Sequence, residues 1–97
     1  MIVGGDVYVA DLNGEVRHRV LVVSNARFHD ASRRAVVAPR VMADDDEVQP
    51  PWRVRVDDDV FAIDLVRSLP IDRLLERVDR APAAVMIAVR RTLQHIT

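Results

Sequence analysis

The sequence predicts a mainly β protein with α-helices at its carboxyl-terminal end, folded as a small β-barrel in one domain over residues 1–97. Three observations predict it. Five short segments have the composition and alternation of strands, two later segments carry apolar residues at helical spacing, and the chain has only 97 residues. A chain of that length builds one core. Five short strands with two terminal helices are typical of a small barrel with appended helices.

The first two strands are predicted on either side of a tight turn. Residues 6–12 (DVYVADL) alternate between apolar and polar or small side chains, as a half-buried strand does. Asn13 and Gly14 follow, and this pair favours a two-residue hairpin because both central residues of a type I′ turn need a positive φ. The second strand is predicted over residues 15–23, where EVRHR leads into the apolar run VLVV.

Three more strands follow, joined by polar segments. The third contains Pro39, which predicts an edge or bulged position because proline has no N–H for a ladder hydrogen bond. The acidic runs near the later strands lack the glycine and glutamate spacing of a calcium loop and are predicted as solvated turns. The predicted segments are a loop or short helical turn at 25–33, strand three at 34–42, an acidic loop at 43–51, strand four at 52–56, a turn at 57–59 and strand five at 60–66.

Two helices are predicted after the strands. The first begins at Pro70, because proline is favoured at a first helical position. Asp72 in its first turn and Arg77 near its last agree with the helix dipole. The second begins at Pro82. Apolar residues recur at helical spacing at Ile71, Leu74, Leu75 and Val78 in the first helix, and at Val85, Met86, Val89, Leu93 and Ile96 in the second.

Composition excludes several classes of protein. The chain has no cysteine, so neither a disulfide framework nor a thiolate metal site is possible. No glycine-rich phosphate loop and no cluster of metal ligands is present in the sequence, so no metal and no cofactor are expected. The start lacks a basic segment leading into a long apolar stretch, and the longest apolar run, 83–89, is too short to span a bilayer. We therefore expect a cytoplasmic protein without a membrane partner.

The charge is unevenly distributed. The net charge is −1, which by itself predicts no polyanion partner. Residues 16–41, however, carry six arginines against one acid, whereas residues 42–66 carry eight acids against two arginines. Such asymmetry can mark a binding surface with its own sign of potential.

Short pieces spread over nearly the whole chain occur in a recognisable order. They are GDVY at 5–8 with DL at 11–12, VLVVSN at 20–25, VVAP at 36–39, DLVRSL at 64–69, RL at 73–74 and ER at 76–77. In this order and at this length the sequence resembles the MazF/PemK/Kid toxin family, the RNA-cutting partners of bacterial toxin–antitoxin pairs.

The resemblance implies both a fold and an activity. The fold would be an SH3-like, CcdB/PemK-like barrel that forms a homodimer and binds a cognate antitoxin. The activity would be metal-independent cleavage of single-stranded RNA, in which the ribose 2′-hydroxyl attacks the adjacent phosphate and leaves a cyclic phosphate and a 5′-hydroxyl end. The resemblance implies no contact with DNA except through a complex with the antitoxin.

The candidate catalytic residues lie at the start of the second strand. The family's arginine aligns with His18 and its proline with Arg19, while its hydroxyl residue after the third strand aligns with Val41. His18 would do acid–base work, because histidine exchanges protons near neutral pH, and Arg17 and Arg19 would donate to the phosphate. Strand alternation places His18 on one face and both arginines on the other, so the three meet one phosphate only across a bulge. Otherwise they are a strand histidine and a solvated edge.

Five further residues are candidate RNA contacts. Phe28 could stack on a base, Arg67 belongs to the family's motif, and Arg40 could supply charge beside Val41. The structural alternatives are a core position for Phe28 and a solvent-facing position for Arg40. For His29 a surface-loop histidine is the favoured alternative. The full set is Arg27, Phe28, His29, Arg40 and Arg67.

The leading functional hypothesis is a type II toxin that acts as an endoribonuclease. The alternative is a family member that has lost cleavage and binds an antitoxin or RNA, favoured by the absence of the family's arginine and hydroxyl residue. The shortened connection at Asn13-Gly14, where the family has a long loop over the site, is expected to change RNA selection. A gyrase poison like CcdB is less favoured, because the Trp-Gly-Ile ending of that family is absent and the only tryptophan is Trp52.

Overall fold

Residues 1–12, 17–42 and 52–96 are described by the computed structural model, and within these ranges the chain forms seven strands and two helices. The predicted turn at Asn13-Gly14 and the predicted loop at 43–51 lie outside the described residues. Two single turns of 3₁₀-helix, Ile63–Leu65 and Ile71–Arg73, precede β6 and β7. In chain order the elements are β1 (Asp6–Asp11), β2 (Arg17–Val22), α1 (Ala26–Ser32), β3 (Arg34–Val41), β4 (Arg53–Val56), β5 (Asp59–Ala62), β6 (Arg67–Pro70), β7 (Leu74–Arg80) and α2 (Ala83–Ile96).

The strands form one curled antiparallel sheet with the order β4-β5-β3-β2-β1-β7, and β6 also pairs with β3. Every strand pair is antiparallel. The predicted mainly β, barrel-like class with a carboxyl-terminal helix is confirmed.

Two apolar clusters hold the sheet, one on each of its faces. Successive side chains of a strand point to opposite faces, so the central strands contribute to both clusters. Burying one Val, Leu or Phe side chain contributes roughly 1.5–3 kcal/mol to stability. The cluster under α2 contains Val7, Leu21, Ala38, Val56, Phe61, Ile63, Ala81, Met86 and Val89. The cluster inside the curl contains Ala10, Val20, Val22, Ala35, Val37, Leu69 and Leu74.

Helix α1 occupies the segment predicted as a loop or a short helical turn. Its amino-terminal end is capped by Asn25, whose Oδ1 accepts a hydrogen bond from the backbone N–H of Phe28 at 2.9 Å. Arg33 ends the helix in the left-handed conformation with φ of 58°, and its N–H donates to the carbonyl of His29. The helix therefore fits about two turns between two paired strands.

Pro39 lies within an unbroken β3, and the pairing explains how it is tolerated. On one edge of β3, Arg34–Val37 pair with β6, whereas Arg40 and Val41 pair with β5. Pro39 falls in the gap between these two partners, where no ladder hydrogen bond needs its missing N–H. The proline thus marks the point at which β3 changes partner.

The predicted helix beginning at Pro70 is wrong. Pro70 ends β6, and after one 3₁₀ turn the chain continues as strand β7, paired with β1. Of the apolar residues at helical spacing, Leu74 is buried, but Leu75 is 47% exposed and Val78 37% exposed. Pairing with the free edge of β1 outweighed a helical periodicity that had little apolar surface to bury.

The predicted fifth strand is also shorter than expected. β5 ends at Ala62, and Ile63–Leu65 turn the chain toward β6, a strand that the sequence did not predict. The second predicted helix is confirmed as α2, in which Met86 and Val89 are buried. Ile96, at its end, is instead 48% exposed. In the part of the chain that the structure describes, no helix has the length and apolar character needed to cross a bilayer.

Candidate functional site

The start of β2 and the end of β3 bring the candidate catalytic residues to one end of the sheet. On β2, Arg17 pairs with Asp11, His18 with Ala10 and Arg19 with Val9. The β2–β3 register pairs Val20 with Pro39, so its extension places Arg19 beside Arg40 on the neighbouring strand.

His18 and its flanking arginines lie on opposite faces of β2. The pairing of β2 with β1 is regular from residue 17 to residue 21, so the strand alternates without a bulge at His18. His18 is half-buried and shares its face with Val20 and its partner Ala10, both members of the cluster inside the curl. Arg17 and Arg19 are exposed on the other face. Within one chain, the three residues therefore do not converge on a single point.

Arg19 and Arg40 meet through a residue that the sequence did not single out. One Nη of Arg19 donates to Oδ2 of Asp59 at 3.0 Å, and one Nη of Arg40 donates to Oδ1 of the same carboxylate at 3.3 Å. Both arginine side chains are 44% exposed, whereas that of Asp59 is 16% exposed. Two cations on one carboxylate leave a net positive group whose guanidinium faces remain open to solvent.

An acidic pair lies beside this cluster. Asp57, exposed in the turn between β4 and β5, shares a hydrogen bond with the half-buried Asp79 of β7. That hydrogen bond and the negative charge of Asp79 raise the pKa of Asp57. The same hydrogen bond, the backbone N–H of Arg80 and the charge of Arg19 lower the pKa of Asp79. The two carboxyl groups therefore titrate apart.

Arg67 lies elsewhere on the sheet. It is exposed on β6, paired with Val37, whereas Arg40 follows three residues later on β3. Its neighbour Ser68 is bound by Arg34, whose Nε donates to Oγ at 2.7 Å and whose Nη donates to the Ser68 carbonyl at 3.2 Å. By this register Arg67 faces the same side of the sheet as Val37 and His18, and not the side of Arg40.

The remaining candidates lie on α1, at the opposite end of β2 from His18. Arg27 and Phe28 are exposed there. His29 is only 3% exposed, and both of its ring nitrogens are engaged. Nε2 lies 2.6 Å from Oγ of Ser24 and Nδ1 lies 2.8 Å from the carbonyl oxygen of Ile2. His29 thus holds the fold together and is not available to RNA in this conformation, in contrast to the expectation of a surface contact.

Within residues 1–12, 17–42 and 52–96, no three histidine, aspartate or glutamate side chains form a group that could hold a metal ion. Two roles could not be predicted from the sequence: that of Asp59 between two arginines and that of Ser24 between His29 and Val36. Asp59 is one of three adjacent aspartates, and Ser24 is an isolated serine, so neither carries a local signal for its role. Both gain their roles from partners brought close by folding.

Comparison with known proteins identifies relatives of the whole chain. Residues 4–97 match the family profile described as PemK-like, MazF-like toxin of type II toxin–antitoxin system. No curated protein sequence matches the chain.

Three solved structures are among those similar to this chain. A mycobacterial endoribonuclease in complex with its cognate antitoxin superposes with a TM-score of 0.81 at 21% identity, over 99% of this chain and 94% of that one. A chain of the MazE–MazF complex from Deinococcus radiodurans has a TM-score of 0.78 at 23% identity, over 98% and 93%. The Mycobacterium tuberculosis toxin MazF-mt6 has a TM-score of 0.75 at 16% identity, over 94% of both chains. The TM-scores show that these proteins share the fold of this chain.

Proposed function

The chain belongs to the PemK-like, MazF-like family of toxins of type II toxin–antitoxin systems, and from that premise we propose that it is an endoribonuclease that cuts single-stranded RNA and so inhibits growth. The match over residues 4–97 carries the proposal. Structural neighbours that are named endoribonucleases support it at the level of the fold.

The proposed reaction uses a nucleophile that RNA itself supplies. The ribose 2′ oxygen bonds to the adjacent phosphorus while its proton passes to a base. The bond from phosphorus to the 5′ oxygen breaks, and that oxygen takes a proton from solvent. The products are a 2′,3′-cyclic phosphate and a 5′-hydroxyl end. The protein has to supply a base and donors for the charge that develops on the phosphorane.

The end of the sheet formed by β2 and β3 offers a base on one face and phosphate-binding groups on the other. His18 is the proposed base, because it stands in the position of the family's arginine and is half-buried rather than enclosed. Arg19 and Arg40 are the proposed phosphate donors, since each keeps exposed guanidinium surface while sharing Asp59. Arg17 and Arg67 are proposed to guide the RNA backbone electrostatically, being exposed cations on the same curled sheet.

The partners follow from the family. We propose a homodimer that is neutralised by a cognate antitoxin, because one similar structure is a mycobacterial endoribonuclease in complex with its cognate antitoxin and another is a MazE–MazF complex from Deinococcus radiodurans. Because His18 and the Arg19–Arg40 pair lie on opposite faces of the sheet, the arginines are proposed to hold a phosphate next along the RNA from the one at His18, with the RNA passing around the end of β2. The proposed site of action is the cytoplasm, where the RNA substrate lies.

The test is cleavage of a long single-stranded RNA by the purified, antitoxin-free protein in EDTA, with the product ends mapped. We expect discrete cuts with 5′-hydroxyl ends, lost in His18→Ala and retained in His95→Ala. His95 is a matched control because it is an exposed histidine on α2. Circular dichroism on each variant confirms that it folds.

Each outcome has a distinct meaning. Cuts that persist in His18→Ala would retain the enzyme and overturn the assignment of the base. Absence of cleavage by the wild-type protein on several RNAs, with the antitoxin still bound tightly, would favour the binding-module alternative.

A further inference from the structure

A pocket of about 320 Å³ lies where β3 ends beside the turn between β4 and β5, and is here called the turn pocket. The residues that line it include Arg40 and Val41 of β3, Arg55 of β4, Asp58 of the turn and Val60 of β5. Its volume is within the range of about 300–1,000 Å³ that is typical of ligand sites. The pocket is thus large enough to be a binding site, and its lining carries charges of both signs.

The turn pocket adjoins the proposed cleavage site. Arg40, one of the two proposed phosphate donors, forms part of its wall and keeps 44% of its side chain exposed. The pairing of β2 with β3, extended to the end of β2, places Val41 of the pocket opposite His18. The phosphate proposed for Arg40 is next along the RNA from the one at His18, so a base beside the cleaved bond can enter the pocket.

Arg55 lies on the same face of the sheet as His18. Val41 pairs with Val60, and Val60 pairs in turn with Arg55. Cross-strand partners share a face, so His18, Val41, Val60 and Arg55 form one row across β2, β3, β5 and β4. The row covers three strand spacings of about 4.8 Å each, a distance that a short stretch of extended RNA spans. Arg55 is therefore an exposed cation on the face that holds the proposed base.

The turn between β4 and β5 adds a carboxylate to the pocket. Asp57 and Asp58 are the two residues of this turn. Asp57 shares a hydrogen bond with Asp79, whereas Asp58 is exposed and lines the pocket. The pocket therefore combines the carboxylate of Asp58, which can only accept hydrogen bonds, with the guanidinium of Arg55, which can only donate them.

We propose that the turn pocket binds a guanine base of the RNA, beside the bond that is cut, and so makes cleavage selective for guanine at that position. The proposal rests on the RNA substrate of the proposed function. The carboxylate of Asp58 accepts from N1–H and from the 2-amino group of guanine, and the guanidinium of Arg55 donates to O6 and N7. In single-stranded RNA both edges of a base are open to such contacts.

The same two side chains disfavour the other three bases. Guanine has two adjacent donors, N1–H and the 2-amino group, followed along its edge by two acceptors, O6 and N7. Adenine presents N1 as an acceptor to the carboxylate and its 6-amino donor to the guanidinium, and cytosine presents N3 and its 4-amino group in the same way. Uracil has one donor, N3–H, between two acceptors. A phosphate alone would be repelled by Asp58, so the charges of the pocket fit a base better than the RNA backbone.

The experiment measures fluorescence anisotropy of labelled 2′-O-methyl RNA heptamers, which are not cleaved. All flanking positions are uridine, and the central one is guanosine, adenosine, inosine or 7-deazaguanosine, so that all the heptamers carry the same number of phosphates. We expect the full-length protein to bind the guanosine heptamer about tenfold more tightly than the adenosine heptamer. Inosine lacks the 2-amino group that pairs with Asp58, and 7-deazaguanosine lacks the N7 that pairs with Arg55, so each should bind about threefold more weakly than guanosine.

Matched variants assign the selectivity to the two side chains. Arg55→Gln should abolish the preference for guanosine over adenosine, whereas Arg53→Gln, on the same strand but outside the pocket, should retain it. Asp58→Asn should abolish the preference for guanosine over inosine, and Asp57→Asn, at the neighbouring turn residue, should not. Removing the negative charge of Asp58 also raises the affinity for every heptamer. A loss of selectivity together with a gain in affinity distinguishes base recognition from a purely electrostatic effect, which would change all the affinities equally.

The binding result can be read separately from the cleavage assay. Equal binding of the guanosine and adenosine heptamers, no binding of any heptamer, or a preference unchanged in both Arg55→Gln and Asp58→Asn would overturn the pocket. A preference for guanosine without cleavage of any RNA would count against the ribonuclease and retain the pocket. In mapped cleavage products, guanosine should recur at one fixed position beside the cut, and cuts that show no such position would overturn the pocket and retain the ribonuclease.

Discussion

The imidazole of His29 and the hydroxyl of Ser24 are joined by a hydrogen bond of 2.6 Å between Nε2 and Oγ. The carbonyl of Ile2 can only accept, so Nδ1 of His29 carries a proton, and in the neutral tautomer Nε2 accepts from the Ser24 hydroxyl. Oγ of Ser24 in turn accepts from the N–H of Val36 at 2.8 Å. One chain of hydrogen bonds thus ties the amino terminus, α1 and β3 together.

Removing the central hydroxyl should destabilise the fold. In Ser24→Ala, the buried Nε2 of His29 and the N–H of Val36 both lose their partner, and we expect the free energy of unfolding to fall by about 1–3 kcal/mol. Urea denaturation measures this. Ser32→Ala is the control, because its hydroxyl bonds to Phe28 at an exposed site. Equal losses in the two variants would contradict a structural role for the buried chain.

Asp59 is predicted to compete with RNA for its two arginines. In Asp59→Asn, Arg19 and Arg40 lose the carboxylate that they share. We expect tighter binding of a non-cleavable 2′-O-methyl oligonucleotide, and a salt dependence steeper by about 0.7 in log–log slope for each additional phosphate that the arginines neutralise. Anisotropy titrations at several salt concentrations measure both.

A matched variant tests whether the effect is local. Asp64→Asn also removes one negative charge, but from a different ion pair, in which Asp64 lies 3.4 Å from Nε of Arg53. If both substitutions raised RNA affinity equally, the effect would be one of net charge and not of the arginine pair at the end of the sheet.

The Asp57–Asp79 pair should make stability depend on pH. Because the pKa of Asp57 is raised, its contribution to the free energy of unfolding is present at acidic pH and is lost as the pH rises through its folded-state pKa. The pKa of Asp79 is lowered, so its contribution to the free energy of unfolding is instead lost as the pH falls through its folded-state pKa. At neutral pH the two carboxylates repel. We therefore expect Asp57→Asn to stabilise the protein more at neutral than at acidic pH, measured by thermal unfolding.

The backbone conformation of Asp57 does not add a pH-dependent effect to the Asp57→Asn comparison. Its φ is 52°, a left-handed conformation that asparagine also adopts readily, so the backbone contribution of the substitution does not vary with pH. Asp58→Asn is the neighbouring control and should show a smaller pH dependence. If Asp57→Asn changed the stability equally at neutral and acidic pH, the hydrogen bond between the Asp57 and Asp79 carboxyl groups would be ruled out.

Asp6 should be sensitive to the loss of one particular arginine. Its side chain is fully buried and accepts from Nε of Arg80 at 3.0 Å and from the N–H of Val3 at 3.1 Å, while Arg77 is 3.9 Å away. Arg80→Ala leaves a buried carboxylate short of a partner and should cost about 1–3 kcal/mol in urea denaturation. Arg77→Ala should cost less than about 1 kcal/mol. The reverse order would contradict this assignment.

The sequence predicted those elements whose conformation is determined by the spacing of apolar residues within the segment itself. Alternation identified β1 and β4, an apolar run after a predicted tight turn identified β2, and helical spacing identified α2, whose apolar stripe packs on the sheet. The segment from Ile71 to Val78 had the same helical spacing, but its conformation depends on the open edge of β1, a strand near the other end of the sequence. No local rule contains that information.

The candidate site also combines features that local sequence predicts with features that depend on distant parts of the chain. The cationic residues around His18 could be identified from residue types alone. Their arrangement could not: Asp59 is 40 residues from Arg19 in sequence, and its contact with both arginines exists only because β5 pairs with β3. His29 shows the converse, since a histidine in a polar segment gives no sign that it will be buried against Ile2.

Strand β3 pairs with β2, β5 and β6. It therefore joins the part of the sheet formed by β4 and β5 to the part formed by β2, β1 and β7. Neither part can open fully while β3 keeps all its backbone hydrogen bonds, and β3 cannot leave without disrupting both. The molecule should therefore unfold as one cooperative unit, with the slowest hydrogen–deuterium exchange at the amides of β3. Within residues 1–12, 17–42 and 52–96, a protease would then find no part of the sheet that unfolds separately from the rest.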